Sequence, residues 1–135
     1  MDNKFRLRWP MSLSESMEDY LEAIYQIDCR KQVVRVCDVA RELGVTMPSV
    51  NGALKVLESN GFINHGKYEY ITLTGEGMIQ ASKIARRHLT IRLFLETVLG
   101  VDHATAEQEA CRIEHDLSPV TMEKLAEFLD RTMEI

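Results

Sequence analysis

At 135 residues and 15.5 kDa, the chain is sized for one domain or two small modules sharing a core. Its 45% hydrophobic and 27% charged composition excludes a disordered polymer, and no run of about eighteen apolar residues exists to span a bilayer. The formal net charge of -5 is unevenly divided: residues 1–90 carry 12 Lys/Arg against 11 Asp/Glu, and residues 91–135 carry 4 against 10. A near-neutral front part joined to an acidic rear part leaves a nucleic-acid partner open, because local surface charge decides that interaction.

The leader MDNKFRLRWPMSL has no continuous apolar stretch and no small-residue cleavage site, so it does not read as a secretory signal. Residues 1–13 read either as a basic arm (Lys4, Arg6, Arg8, with Trp9 as anchor) able to follow a DNA backbone or as a loose terminus. Cys29, Cys37 and Cys111 are an odd set without framework spacing. They are expected as reduced thiols in the cytoplasm, free to pack or to bind metal.

The first predicted helix spans 14–28, capped by Ser14 or Ser16, with Met17, Leu21, Ile24 and Tyr25 recurring at spacings of three and four. Residues 29–35 read as a polar connection. A short helix over 36–44 ends at Gly44, and Val45-Thr46-Met47 makes a tight turn. Pro48 opens the next helix, with Thr46 or Met47 as its cap and Gly61 as its stop. Residues 62–74 alternate and are rich in aromatic and β-branched types, which predicts two strands around a His65-Gly66-Lys67 turn. Helical periodicity returns at Thr74–Gly77 and runs to about Leu99. Gly100-Val101-Asp102 breaks it, a helix follows over 103–117, and Ser118-Pro119 opens the last one. The expected class is mainly α with one hairpin.

Helix, Gly-containing turn and helix, followed by a hairpin, make the winged form of a helix-turn-helix. Val50 and Leu54 would dock the second helix, leaving Thr46, Pro48, Ser49, Asn51 and Lys55 at its exposed N-terminal face for phosphates and base edges. Lys67, in the wing, could reach sugar-phosphate. An ordinary helical hairpin is the plainer alternative.

Ligand-type side chains recur at helical spacing elsewhere. Asp19 and Glu22 share a face of the first helix, while Cys111, Glu114 and His115 offer sulfur, oxygen and nitrogen at i, i+3 and i+4, with His88 between the two sets in sequence. Taken singly, the carboxylates could be a solvated first turn, His88 a surface histidine and Cys111 a packed small hydrophobe. Three different donors converging on one face rarely arise for packing, and a divalent ion would neutralise carboxylates that otherwise repel.

The stretches SMEDYLEAIYQI, VCDVARELGVTMPSVNGALKVLESNGFI, YITLTGEG, RRHLTIRLFLETVLGVD and EACRIEHDLS, in this order, resemble the DtxR/MntR family of metal-dependent transcriptional repressors from Ser14 onward. That resemblance implies a winged helix-turn-helix DNA-binding domain over 14–77 and an α-helical metal-binding and dimerisation domain over 78–135. It is the short two-domain type, without an SH3-like domain. The chain is then a cytoplasmic homodimer that binds a palindromic double-stranded operator near metal-uptake genes and does not engage a membrane. In the manganese branch the ligands correspond to Asp19, Glu22, His88, Glu114 and His115, with Cys111 where that branch has glutamate. The Cys-x-x-Glu-His triplet belongs to the iron branch, which has methionine at the position of Asp19. A second site of the iron branch would fall on His88, Arg92 and Glu107; Arg92 is no ligand, while Glu107 could join a binuclear site. The recognition-helix glutamine of the iron branch is Gly52 here.

Oxygen and imidazole donors suit Mn(II), while a thiolate favours Fe(II), Co(II) or Zn(II). Mn2+ or Fe2+ is therefore the expected ion, with Co2+ or Zn2+ able to substitute in vitro. The apolar dimer surface is expected from the helix Leu89–Leu99 and from Leu125, Phe128 and Leu129. The rival regulator reading is a winged-helix protein answering to an organic ligand or to thiol oxidation at Cys111. A metalloenzyme is disfavoured, because no further acid or nucleophile constellation accompanies the ligands.

Overall fold

The computed structural model describes residues 13–66 and 70–133, so the arm up to residue 12 and the wing residue Lys67 lie outside the described residues. The chain divides into two compact units between Ser82 and Lys83. That division falls inside one long helix.

In the first unit, α1 spans Glu15–Lys31. Ser14 is its cap, its Oγ accepting from the Met17 N–H at 3.2 Å. The helix runs three residues beyond the expected end, because the polar residues there find partners on the next helix. Lys31 Nζ donates to Asp38 at 3.0 Å and Arg30 to Glu42 at 2.9 Å. Two basic residues also suit a helix C-terminus. Gln32, at φ 70, closes α1 with its N–H on the Asp28 carbonyl.

The supposed connection 29–35 holds a further element, β1 (Val34–Arg35). α2 (Val36–Leu43) follows it directly, its first turn closed by the Asp38 carboxylate accepting the Arg35 N–H at 3.0 Å. Gly44, at φ 67, ends it in the left-handed region that favours glycine. α3 spans Met47–Ser59, capped by Thr46, with Pro48 in its first turn where a missing N–H costs nothing.

Strands β2 (Ile63–His65) and β3 (Tyr70–Leu73) pair antiparallel, and β1 adds to the other side of β3, giving the order β1-β3-β2. Arg35 donates to the Tyr70 hydroxyl at 3.4 Å and lies over its ring, which ties β1 to the turn end of β3. The core of this unit joins Leu21, Ile24 and Ile27 of α1 to Val36 and Val39 of α2, to Val50, Leu54 and Leu57 of α3 and to Ile63 and Ile71 of the sheet, all buried.

α4 (Gly75–Leu93) starts against the hairpin. The Thr74 N–H reaches the Phe62 carbonyl, its hydroxyl donates to the Gly61 carbonyl at 2.7 Å, and its oxygen accepts the Gly77 N–H at 3.0 Å. A Cβ at Gly77 would stand 1.9 Å from the Phe62 carbonyl oxygen. Backbone, not a flexible side chain, blocks the space. Gly77→Ala is therefore expected to destabilise the fold by about 1–3 kcal/mol. Urea unfolding would show it as a lower midpoint, and an unchanged midpoint would contradict the close approach.

In the second unit, α4 continues to Leu93 and passes into a π-helical turn, Phe94–Val98, which ends at Gly100 (φ 74). α5 spans His103–Ile113 and α6 spans Pro119–Met133. α5 thus stops four residues before the expected end. Ile91, Leu95, Ala106, Ala110 and Met122 form this unit's core, with Phe94, Val101, Ile113, Leu117 and Leu125 packed on it. Ala106 and Ala110 lack bulk, which suits a helix lying close to its neighbours. Of the residues expected on a dimer surface, Leu129 is buried and Leu125 packs on the core. Leu89, Leu99 and Phe128 are exposed.

Asp102 caps α5, its carboxylate accepting the Thr105 N–H at 3.0 Å. That backbone hydrogen bond holds the Asp102 carboxyl below the usual carboxylate range. A depressed folded-state pKa means stability that is fully present above the unfolded value of about 3.9 and lost as pH falls through the folded one. Asp102→Ala is therefore expected to cost most near neutral pH, with the gap to the parent shrinking below about pH 4. Thermal melts across pH check it; a gap independent of pH would contradict the charged cap.

Candidate metal centre and nucleic-acid interface

The expected reading head sits on α3. Its buried face carries Val50, Ala53, Leu54 and Leu57, so the opposite face is left to solvent. Thr46, Pro48, Ser49, Asn51 and Lys55 are all exposed. The Thr46 oxygen accepts the Ser49 N–H at 3.3 Å and its hydroxyl donates to Ser49 Oγ at 3.0 Å. Thr46 and Ser49 are thus engaged in capping, while Asn51 and Lys55 point polar groups outward one turn on. Exposed Met47 and Val56 share this helix and were not foreseen as part of the surface. Apolar side chains of that kind can pack on thymine methyl groups. Gly52 has open space around its Cα.

The ligand-type residues of the second unit gather around His88. Its Nδ1 lies 2.9 Å from Glu114 Oε1 and its Nε2 lies 2.9 Å from Glu107 Oε2. α4 supplies the histidine, α5 supplies Glu107, and Glu114 stands at the C-cap of α5. His115 lies just past the helix, its Nε2 3.7 Å from Glu114 Oε2. Glu114, at φ -57 and ψ -27 with its N–H on the Ala110 carbonyl, still has helical geometry one turn after Cys111, which is exposed where Glu114 is wholly buried.

Glu114 is the informative residue. Its side chain has no exposure, and Oε2 has no hydrogen-bond partner among the described residues. Removing a carboxylate oxygen from water without a partner is costly, so a buried one of this kind marks a place for a cation. The donors within reach, carboxylate oxygens and imidazole nitrogens, are those preferred by Mn(II) and Fe(II), and the residues fit such an ion.

In the first unit, Asp19 and Glu22 are one turn apart on α1. Asp19 is half-buried and Glu22 buried, with the Gln26 amide 3.4 Å from Glu22 Oε2. Glu18 is buried beside them, which sequence spacing had not singled out. A solvated acidic first turn would leave such residues exposed.

Around His88 extends an ion-pair group. Arg92 pairs with Glu96 at 3.0 Å and with Glu107 at 3.3 Å, and His103 Nδ1 lies 2.7 Å from Glu96 Oε2. The hydrogen bond from Arg92, with His103 adding to it, holds the Glu96 carboxyl below the usual range. None of Arg92, Glu96 or His103 was expected to take part.

A helix-turn-helix with an antiparallel wing, followed by a helical unit that buries a carboxylate–imidazole pair, defines a metal-responsive DNA-binding protein class. Residues 12–71 match the family described as iron dependent repressor, N-terminal DNA binding domain, and residues 74–134 match the iron dependent repressor metal binding and dimerisation domain. The chain belongs to this iron-dependent repressor family, the DtxR/MntR type of metal-dependent transcriptional regulators.

An uncharacterised HTH-type transcriptional regulator of Methanocaldococcus jannaschii is 38% identical over 120 residues, covering 88% of this chain and 96% of that protein. The HTH-type transcriptional regulator MntR of Lysinibacillus sphaericus is 32% identical over 114 residues, covering 84% and 81%. The crystal structure of the metal-dependent transcriptional regulator MtsR superposes with a TM-score of 0.78 at 31% identity over 84% of this chain. The chain spans 53% of that solved chain. The family is one of regulators, not of enzymes, and among the described residues no helix is long and apolar enough to cross a membrane.

Proposed function

We propose that the chain is a cytoplasmic homodimeric repressor of metal-uptake genes, made competent for a palindromic operator by Mn(II) or Fe(II). Residues 14–77 read DNA, and residues 78–135 bind metal and pair two copies. The observation that carries the reading is Glu114, wholly buried with one carboxylate oxygen lacking a hydrogen-bond partner among the described residues, beside His88 and His115. Asp19 and Glu22 complete the ligand set from the DNA-reading part. Cys111 stands at its edge as the donor that moves preference away from Mn(II), and Glu107 is an outer residue of the same centre. Co(II) and Zn(II) are expected to substitute in vitro.

Ligands drawn from both parts give the ion work to do. It favours the arrangement in which the two reading helices of a dimer match successive major-groove faces, and only its differential affinity for that arrangement drives the response. Couplings of this kind are worth about 1–3 kcal/mol, or about 5- to 150-fold in operator affinity. On DNA, Asn51 and Lys55 supply base-edge and phosphate contacts, Thr46, Pro48 and Ser49 set the helix N-terminus against the backbone, and Lys67 in the wing follows the neighbouring phosphates. Leu89, Leu99 and Phe128 offer apolar surface for the partner copy.

The test is an anomalous-scattering crystal structure with Mn(II), then with Fe(II). The expected peak is held by Glu114 and His115 together with Asp19 or Glu22. A peak away from Glu114 overturns the assignment.

A further inference from the structure

We propose that Gly52 is a specificity-determining gap in α3, shaped to take the C5-methyl group of one operator thymine. The proposal rests on α3 being the DNA-reading helix. Gly52 is exposed in the middle of α3 (Met47–Ser59). Val50, Ala53, Leu54 and Leu57 define the buried face, and at 3.6 residues per turn Gly52 falls nearly opposite their centre. Glycine weakens a helix interior relative to alanine, so its use there wants a cause. Gly44 has one in its φ of 67, and Gly77 has one in the Phe62 carbonyl oxygen 1.9 Å from where a Cβ would stand. Gly52 has neither. Its φ is not positive, and a Cβ on it would meet none of the described residues within 4 Å, its own turn of helix aside. The fold makes no demand for the missing side chain, which leaves a molecule that approaches α3 from outside.

The neighbours of the gap set its chemistry. Val56, one turn further along the helix, is an apolar side chain left 43% exposed. Asn51 and Lys55 lie alongside, also exposed. The gap is therefore a bare stretch of helix backbone bounded by an apolar wall, a hydrogen-bonding amide and a cation. The apolar group that base edges present in the major groove is the thymine methyl. A position without a side chain admits that methyl against the backbone beside Val56. The same close approach lets Asn51, whose side chain is short, reach an adjacent base edge. An alanine methyl at position 52 would fill the space and hold the helix away from the groove floor.

The experiment uses the Mn(II)-loaded full chain and a duplex that it selects from a random pool. Fluorescence anisotropy gives the affinity of the parent, Gly52→Ala, Asn51→Ala and Lys55→Ala. Each thymine of one half-site is then replaced in turn by deoxyuridine, which lacks only the methyl. Gly52→Ala is expected to raise the urea midpoint, as a better helix former should. It is also expected to weaken operator binding by about 5- to 150-fold, the effect of an added methyl in a close-packed contact. At one thymine, loss of the methyl should weaken the parent about fourfold, the value of one buried methylene, and leave Gly52→Ala unchanged. A Gly52→Ala chain that binds as tightly as the parent, or that responds to deoxyuridine as the parent does at every thymine, overturns the gap. A lower urea midpoint overturns it too, because the glycine would then serve the fold. If Asn51→Ala and Lys55→Ala weaken binding while Gly52→Ala does not, the gap alone fails. If none of the three weakens binding, α3 is not the reading helix and the gap falls with it.

Discussion

Glu114→Gln is expected to abolish metal-dependent operator binding while leaving the chain folded. Glutamine keeps the shape of the side chain, and its amide can still meet His88 Nδ1, which lies 2.9 Å from Oε1. What it removes is the negative charge, in a place where the side chain has no exposure and Oε2 has no hydrogen-bond partner among the described residues. In the absence of metal the variant should be at least as stable as the parent, since a buried carboxylate without full compensation has been replaced by a neutral group. With metal the parent should gain stability and the variant should not, because an ion that binds only the folded chain stabilises by about 2.7 kcal/mol at a hundredfold excess over its Kd. Loss of a first-rank ligand is expected to weaken Mn(II) binding by more than the about 10- to 100-fold seen when an outer partner of a metal ligand is removed. Thermal melts with and without Mn(II), beside metal titrations, check both halves. A variant with unchanged metal-induced stabilisation would rule Glu114 out.

The second large effect lies on α3. Asn51→Ala is expected to lower affinity for the operator by about 1–3 kcal/mol, roughly 5- to 150-fold, and to relax discrimination at one base pair. Lys55→Ala should instead weaken binding to all sequences alike and reduce the slope of log affinity against log salt by about one. The two residues are exposed one turn apart on a helix whose other face is pinned by Val50, Leu54 and Leu57, so neither substitution should disturb folding. Anisotropy titrations at several salt concentrations separate the two signatures. Equal salt slopes for the parent and Lys55→Ala would remove Lys55 from the phosphate contacts.

Legibility from sequence followed the range of the forces involved. The α2–turn–α3 segment was readable because its determinants are local: Gly44 at positive φ, Thr46 as cap and Pro48 in the first turn act within a few residues. The hairpin was readable from alternation in residues 62–74. β1 was not, since two residues carry no period and Val34 becomes a strand only by pairing with Ile71, far along the chain. The last turn of α1 was missed for a similar reason: Arg30 and Lys31 look like loop residues until Glu42 and Asp38 meet them. The need for glycine at position 77 comes from the Phe62 backbone and leaves no local mark.

The candidate centre was partly readable. His88 and Glu114 were identified by donor type and do meet, while Cys111, one turn before Glu114, is exposed where Glu114 is buried. Helical spacing could not reveal which of these donors the packing buries. The Arg92–Glu96–His103 group was invisible because each member looks like an ordinary surface charge, and only the packing of α4 against α5 sets them around one guanidinium.

The central claim is that the ion, not the chain alone, makes the DNA-binding form. It is tested most directly by fluorescence anisotropy on a duplex selected from a random pool by the Mn(II)-loaded protein, comparing loaded and EDTA-treated samples at one salt concentration. The account predicts an affinity lower by about 5- to 150-fold after chelation, restored by Mn(II) or Fe(II). Equal affinity in the two samples would contradict it.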